Sequence, residues 1–250
     1  MSYPDGLFYA YAKNDSDDWS WRYLITFLNA SVADQWWRAV TDSVAGGYTR
    51  FAGVKRLSNQ WYTHNPNVNA GNISETVNDV KAANSFLGKV FFTLIVDRDG
   101  RTLSVAPTIN FTAYKSNSSF FVRSILNPTR YWYYPPASGG AVLASNTRRT
   151  RFTIGIVAAA QPDGTIMIGT DKVYISVTAT NQAVGIAGGS GADQGGNNLL
   201  VLGNPNGGTQ FNFSDFAGGF GLADENVGND ELVVTWRGED LAGERWELVF

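Results

Sequence analysis

Residues 151–180 read RFTIGIVAAAQPDGTIMIGTDKVYISVTAT, and this stretch decides the fold class. Near its start Phe152, Ile154 and Ile156 alternate with Thr153 and Gly155. Near its end Val173, Ile175, Val177 and Ala179 alternate with Tyr174, Ser176, Thr178 and Thr180. A period of two sends one set of side chains to a buried face and the other to water, which is the pattern of a half-exposed strand. Asp163-Gly164 lies between the two runs and suits a hairpin turn. Asp99-Gly100 repeats the arrangement, with residues 90–96 before it and 102–105 after it.

Two segments depart from this alternation. Ser31-Val-Ala-Asp34 has the spacing of a capping box and leads into an apolar-faced run over 33–44 that stops at Gly46-Gly47. Ser74-Glu75 opens a second candidate helix, continued by Val77, Val80 and Ala83 and ended by Gly88. No fixed repeat appears, and no linker-like composition precedes residue 181. The expectation is a mainly β chain of residues 1–250, one domain built as a two-sheet antiparallel β-sandwich-like fold with one or two short inserted helices. The Gly-rich segment 185–208 is expected to be flexible and to precede a C-terminal hairpin over 231–250.

Composition removes many chemistries. With 44% hydrophobic and 14% aromatic residues over 250 positions, the chain carries enough apolar surface to fold. It has no cysteine, which excludes disulfides, thiol nucleophiles and thiolate metal sites. His64 is the single histidine, and no Gly-x-Ser-x-Gly elbow accompanies it, so a Ser-His-Asp triad has no frame. Neither phosphate-binding glycine pattern occurs. Asn14-Asp-Ser-Asp17-Asp18 offers hard oxygen ligands but departs from the calcium-loop order, so no metal and no cofactor are expected. The net charge of -3 argues against general nucleic-acid binding. That total hides an asymmetry: residues 1–172 carry 17 Lys and Arg against 12 acids, whereas 173–250 carry only Arg237 and Arg245 against ten. The N-terminus has no basic n-region, and no run approaches ~18 apolar residues. A cytoplasmic or leaderless-secreted protein is therefore expected, with no signal peptide or transmembrane segment.

The aromatics are the strongest positive signal. The chain holds 8 tryptophans and 11 tyrosines, several of them beside polar turns. Tyr131-Trp-Tyr-Tyr134 would point Tyr131 and Tyr133 one way and Trp132 and Tyr134 the other, which leaves one face as a candidate platform. Flat rings beside amides and carboxylates suit sugars, since the C–H face of a pyranose packs on a ring while polar groups meet its hydroxyls. The candidate ligand-binding residues are Trp61, His64 and Asn65 in one loop, Trp132 and Tyr133 in the second cluster, and Asp17 and Trp19 in a third. They support a carbohydrate-binding, lectin-like module with glycans or glycoconjugates as partners. Homo-oligomerisation is expected, because single sugar sites are weak.

Two alternatives come from other features. The amphipathic, hydroxyl-rich 147–180 hairpin resembles the element a β-pore-forming toxin inserts, its arms 149–158 and 165–178 reaching the roughly 9–11 residues needed to span a bilayer. A membrane surface would then be the partner. A glycan-acting hydrolase would need two carboxylates about 5–10 Å apart, and Asp97 with Asp99, or Glu231, Glu239, Glu244 and Glu247, are the acids that cluster in sequence. No catalytic motif assembles them, so the expectation is a protein that is not an enzyme.

Overall fold

A computed structural model describes residues 6–16, 20–69, 71–95, 113–135, 140–157, 164–187, 198–203, 208–226, 231–238 and 243–250. The chain divides into two compact units, Tyr3–Ala113 and Tyr114–Phe250 together with Met1–Ser2.

The first unit contains β1 (Phe8–Asn14), β2 (Tyr23–Phe27), α1 (Ala30–Ala45), β3 (Lys55–Ser58), β4 (Trp61–His64) and β5 (Val90–Leu94). Its sheet runs β3-β4-β1-β2-β5. All pairings are antiparallel except β1 with β4, which is parallel. Strict alternation in β1 and β2 buries Phe8, Ala10, Ala12, Tyr23, Ile25 and Phe27. Trp36 of α1 closes on this layer, its ring 5.5 Å from those of Phe27 and Tyr62, and its indole N–H donates to Thr76 Oγ1 at 3.1 Å. The helix starts three residues earlier than the sequence suggests. Its N-cap is Asn29, whose Oδ1 accepts from the Val32 amide at 2.9 Å, so Asp34 is freed for a buried role. The second expected helix is two 3-10 turns, Ile73–Asn78 and Asn84–Phe86, separated at Asp79 by extended backbone.

The second unit contains β6 (Ser118–Ser124), β7 (Tyr131–Tyr133), β8 (Leu143–Ser145), β9 (Arg151–Ile156), β10 (Lys172–Val177), β11 (Val184–Ile186), β12 (Leu200–Leu202), β13 (Phe211–Asn212), β14 (Phe220–Asn226), β15 (Leu232–Trp236) and β16 (Trp246–Val249). A nine-stranded antiparallel sheet runs β13-β10-β9-β6-β7-β8-β15-β14, with β16 added against β6. β11 and β12 form a separate pair, so part of the Gly-rich 185–208 segment is strand. The chain is mainly β, as the alternation requires.

Two expectations are corrected in this unit. The 231–250 hairpin does not form. β15 pairs with β8 and β14, whereas β16 pairs with β6, where Glu247 meets Arg123 and Trp246 and Leu248 turn inward. The 147–180 hairpin is also shorter than expected. β9 and β10 pair over five residues each, in the register Val173 to Ile156 and Val177 to Phe152. Residues 165–167 run instead beside Tyr114 and Ser116: the Ser116 amide donates to the Thr165 carbonyl and the Met167 amide to the Tyr114 carbonyl. Ile166 and Met167 are buried there. Among the described residues no helix is long and apolar enough to cross a membrane.

Candidate functional site

The three aromatic clusters end in different environments. Asp17 and Trp19 lie outside the described residues. In the Trp61 cluster the polar groups turn inward. His64 has no exposed surface. Its Nε2 lies 2.8 Å from the Trp21 carbonyl and its Nδ1 accepts from the Ile73 amide at 3.3 Å, so Nε2 carries the proton. Burial pushes its pKa below the ordinary 6.5, against the opposing pull of the Trp21 carbonyl. The imidazole pins the carbonyl of Trp21, which holds a left-handed φ of 58°, an uncommon conformation for a bulky residue. His64 is therefore a structural clasp and not the ligand contact expected from its Asn-rich neighbourhood. Trp61 remains half-buried on the opposite side of β4, its ring 5.9 Å from that of Tyr11. Asn65 closes its own turn by accepting from the Asn67 amide at 3.1 Å.

Beneath the Trp61 cluster lies a buried ion pair. Arg56 donates to Asp34 Oδ1 at 2.7 Å, with side-chain exposures of 6% and 1%. The Arg56 guanidinium also lies 5.8 Å from the Tyr62 ring. Burial raises the Asp34 pKa against the lowering influence of Arg56, and burial likewise pushes the Tyr62 phenol up. Arg56 also borders a groove of about 480 Å³ walled by Trp37, Val40, Val44, Phe51 and Val54.

The second cluster divides along its strand. Trp132 has no exposed surface and packs against Phe152, Phe216, Phe220 and Trp246 with ring centroids 5.0–5.9 Å away. The expectation that Trp132 stacks on a ligand is corrected: period two sends it into the core. The same period sends Tyr131 and Tyr133 outward, half-exposed. There they meet arginines. The Arg148 guanidinium lies 4.2 Å from the Tyr133 ring centroid and donates to Tyr133 Oη at 3.1 Å. Arg149 lies 4.4 Å from the Phe121 ring and 5.6 Å from that of Tyr131. Arg151 lies 4.5 Å from the same Phe121 ring. Such stacking orients a guanidinium through the ring quadrupole and leaves its in-plane N–H groups for other partners.

Register makes this one continuous face. Arg123 is opposite Tyr131, Phe121 opposite Arg151, and Ser119 opposite Thr153. Beyond the arginines the face becomes a hydroxyl and amide ladder. Ser119, Thr153 and Thr178 hydroxyls contact one another at 3.0–3.3 Å. Tyr174 reaches across β9 to donate to Asn117 Oδ1. Gly155 makes that crossing feasible, since a Cβ there would collide with Asn117 Oδ1 and Tyr174 Oη.

The described carboxylates near this face already have partners. Glu231, buried, takes Arg148 at 2.6 Å, and Glu247 takes Arg123 at 2.7 Å. Glu244 accepts from Ser124 Oγ at 3.1 Å. Asp97, Asp99 and Glu239 lie outside the described residues. Among the described residues no group of three His, Asp or Glu side chains could hold a metal ion. The sequence reading missed Phe121 and the three stacked arginines. The signal available for them was the cationic run Arg148-Arg-Thr-Arg151 leading into an alternating strand.

No protein-family profile and no curated protein matches the chain. Among solved structures, a variant of the inhibitor BBKI bound to bovine trypsin is similar at 9% identity and a TM-score of 0.35, covering 56% of this chain and 96% of that one. A variant of the Bauhinia bauhinioides kallikrein inhibitor complexed with bovine trypsin is similar at 7% identity and a TM-score of 0.32, covering 55% and 94%.

Proposed function

We propose that the chain is a non-catalytic, lectin-like glycan-binding protein whose binding surface is the outward face of β6, β7, β9 and β10. The observation that supports this reading most is the division of Tyr131-Trp132-Tyr133. The tryptophan fills the core, while the two tyrosines share an outer face with Phe121, stacked arginines and a ladder of hydroxyl and amide groups. Aromatic and guanidinium planes give a glycan flat contact area at little entropic cost, and the adjacent hydroxyl, amide and N–H groups match its oxygens. Glu231 and Glu247 are each engaged by an arginine, Arg148 and Arg123, so the described carboxylates beside this face serve to hold its cations in place.

A glycan array run with the native chain and a Tyr131→Ala/Tyr133→Ala variant tests the reading. Binding that is lost in the variant, with its far-UV spectrum unchanged, supports it. Absence of any glycan bound by the native chain contradicts it.

A further inference from the structure

The face that carries the proposed binding surface is unevenly charged, and the imbalance defines a ligand class. Four arginines line this face: Arg123 on β6, Arg148 and Arg149 in the lead-in to β9, and Arg151 at the start of β9. Two are neutralised, Arg123 by Glu247 and Arg148 by Glu231. Among the described residues no carboxylate pairs with Arg149 or Arg151. Both are exposed, and both stack on the single ring of Phe121, at 4.4 and 4.5 Å, which keeps the two cationic carbons within about 9 Å of each other. Arg151 directs one N–H to the Ser119 carbonyl at 3.5 Å. A guanidinium has five N–H donors, so most of its capacity remains open.

Two like charges gathered on one ring repel each other, and an anion placed between them relieves that repulsion. A stacked guanidinium presents its N–H edge to water in a planar fork, the geometry that grips a sulfate or carboxylate through two parallel bonds. The neighbouring Ser119, Thr153 and Thr178 hydroxyls on the same face suit sugar hydroxyls. We infer that the face recognises acidic glycans, with Arg149 and Arg151 together binding sulfate or carboxylate groups of the sugar. This inference rests on the glycan-binding reading above and adds the ligand's charge to it.

The test is calorimetric titration of the native chain with four probes of matched length: a sulfated glycosaminoglycan oligosaccharide, an unsulfated uronic-acid oligosaccharide, a neutral oligosaccharide and oligouridylate. The sulfated or the uronic-acid probe should bind at least tenfold more tightly than the neutral one and weaken as salt rises. Arg149→Gln/Arg151→Gln should lose about tenfold or more for each charge-assisted bond removed. Arg149→Lys/Arg151→Lys should retain part of the binding, because the charge survives and the fork does not. Thermal melting checks that both variants fold. Equal binding of neutral and acidic sugars would overturn this inference and leave the glycan reading intact. Binding of no sugar at all would overturn both. Oligouridylate bound as tightly as the acidic sugars would also overturn it, by showing unspecific attraction to polyanions.

Discussion

Trp61-Tyr-Thr-His64 and Tyr131-Trp-Tyr133 are built from the same kinds of residue, and they come to opposite ends. In the first, the strand turns its polar groups inward. His64 is spent on two backbone partners, Arg56 is sealed against Asp34 under Tyr62, and only Trp61 remains toward the surface. In the second, the strand buries its largest ring and turns two phenols outward beneath arginines. Hydrogen-bond accounting separates a structural polar cluster from a binding face. The buried imidazole of His64, with both ring nitrogens engaged by backbone, holds the fold together, whereas a guanidinium stacked on an exposed ring is ordered and still has donors to offer.

Substitutions can break this contrast, and the largest effect is expected at Trp132. Trp132→Ala should cost about 3–5 kcal/mol in urea unfolding, as expected for a large ring removed from a packed core. Tyr133→Ala, one residue along, should cost about 1 kcal/mol. Equal costs would mean that the two sides of β7 are not distinct. Arg56→Ala should follow at about 3 kcal/mol, because it strands the Asp34 carboxylate in a buried position. Gly155→Ala should cost about 1–3 kcal/mol by pushing Tyr174 off Asn117, read by the same unfolding measurement.

The smallest effect concerns acidity. The folded pKa of His64 lies below 6.5 because burial disfavours its charged form. The unfolded chain therefore takes up the proton first, and stability should fall as pH drops from about 6.5 toward the folded value. A His64→Gln variant should lack this slope when unfolding free energy is followed against pH. If its slope matches that of the native chain, the imidazole is not the buried clasp described above.

Much of this architecture is legible in the sequence. Alternation at 152–156 and 173–177 marks β9 and β10 within a residue or two, and alternation at 131–133 separates Tyr131 and Tyr133 from Trp132. What alternation does not carry is partner identity. β16 leaves β15 for β6 because a distant arginine and two inward apolar residues meet it there, a long-range pairing with no local signal. The candidate site suffers the same way. An Asn-rich loop reads as solvent-exposed, yet His64 is drawn in by the Trp21 carbonyl and the Ile73 amide. Period two alone leaves open which face of β7 meets solvent, and so Trp132 reads as a platform until Phe152, Phe216, Phe220 and Trp246 are seen around it. Arg149 and Arg151 are visible in the sequence only as a charge run, because the Phe121 ring that gathers them comes from another strand.

The outward face of β6, β7, β9 and β10 is the proposed glycan-binding surface. NMR titration with an acidic oligosaccharide, following arginine side-chain and aromatic signals, tests it most directly. Saturable shifts are expected at Arg149, Arg151, Phe121, Tyr131 and Tyr133, with Tyr11, Trp61 and His64 unmoved. Shifts confined to Tyr11 and Trp61, or no shifts at any of these residues, would contradict it.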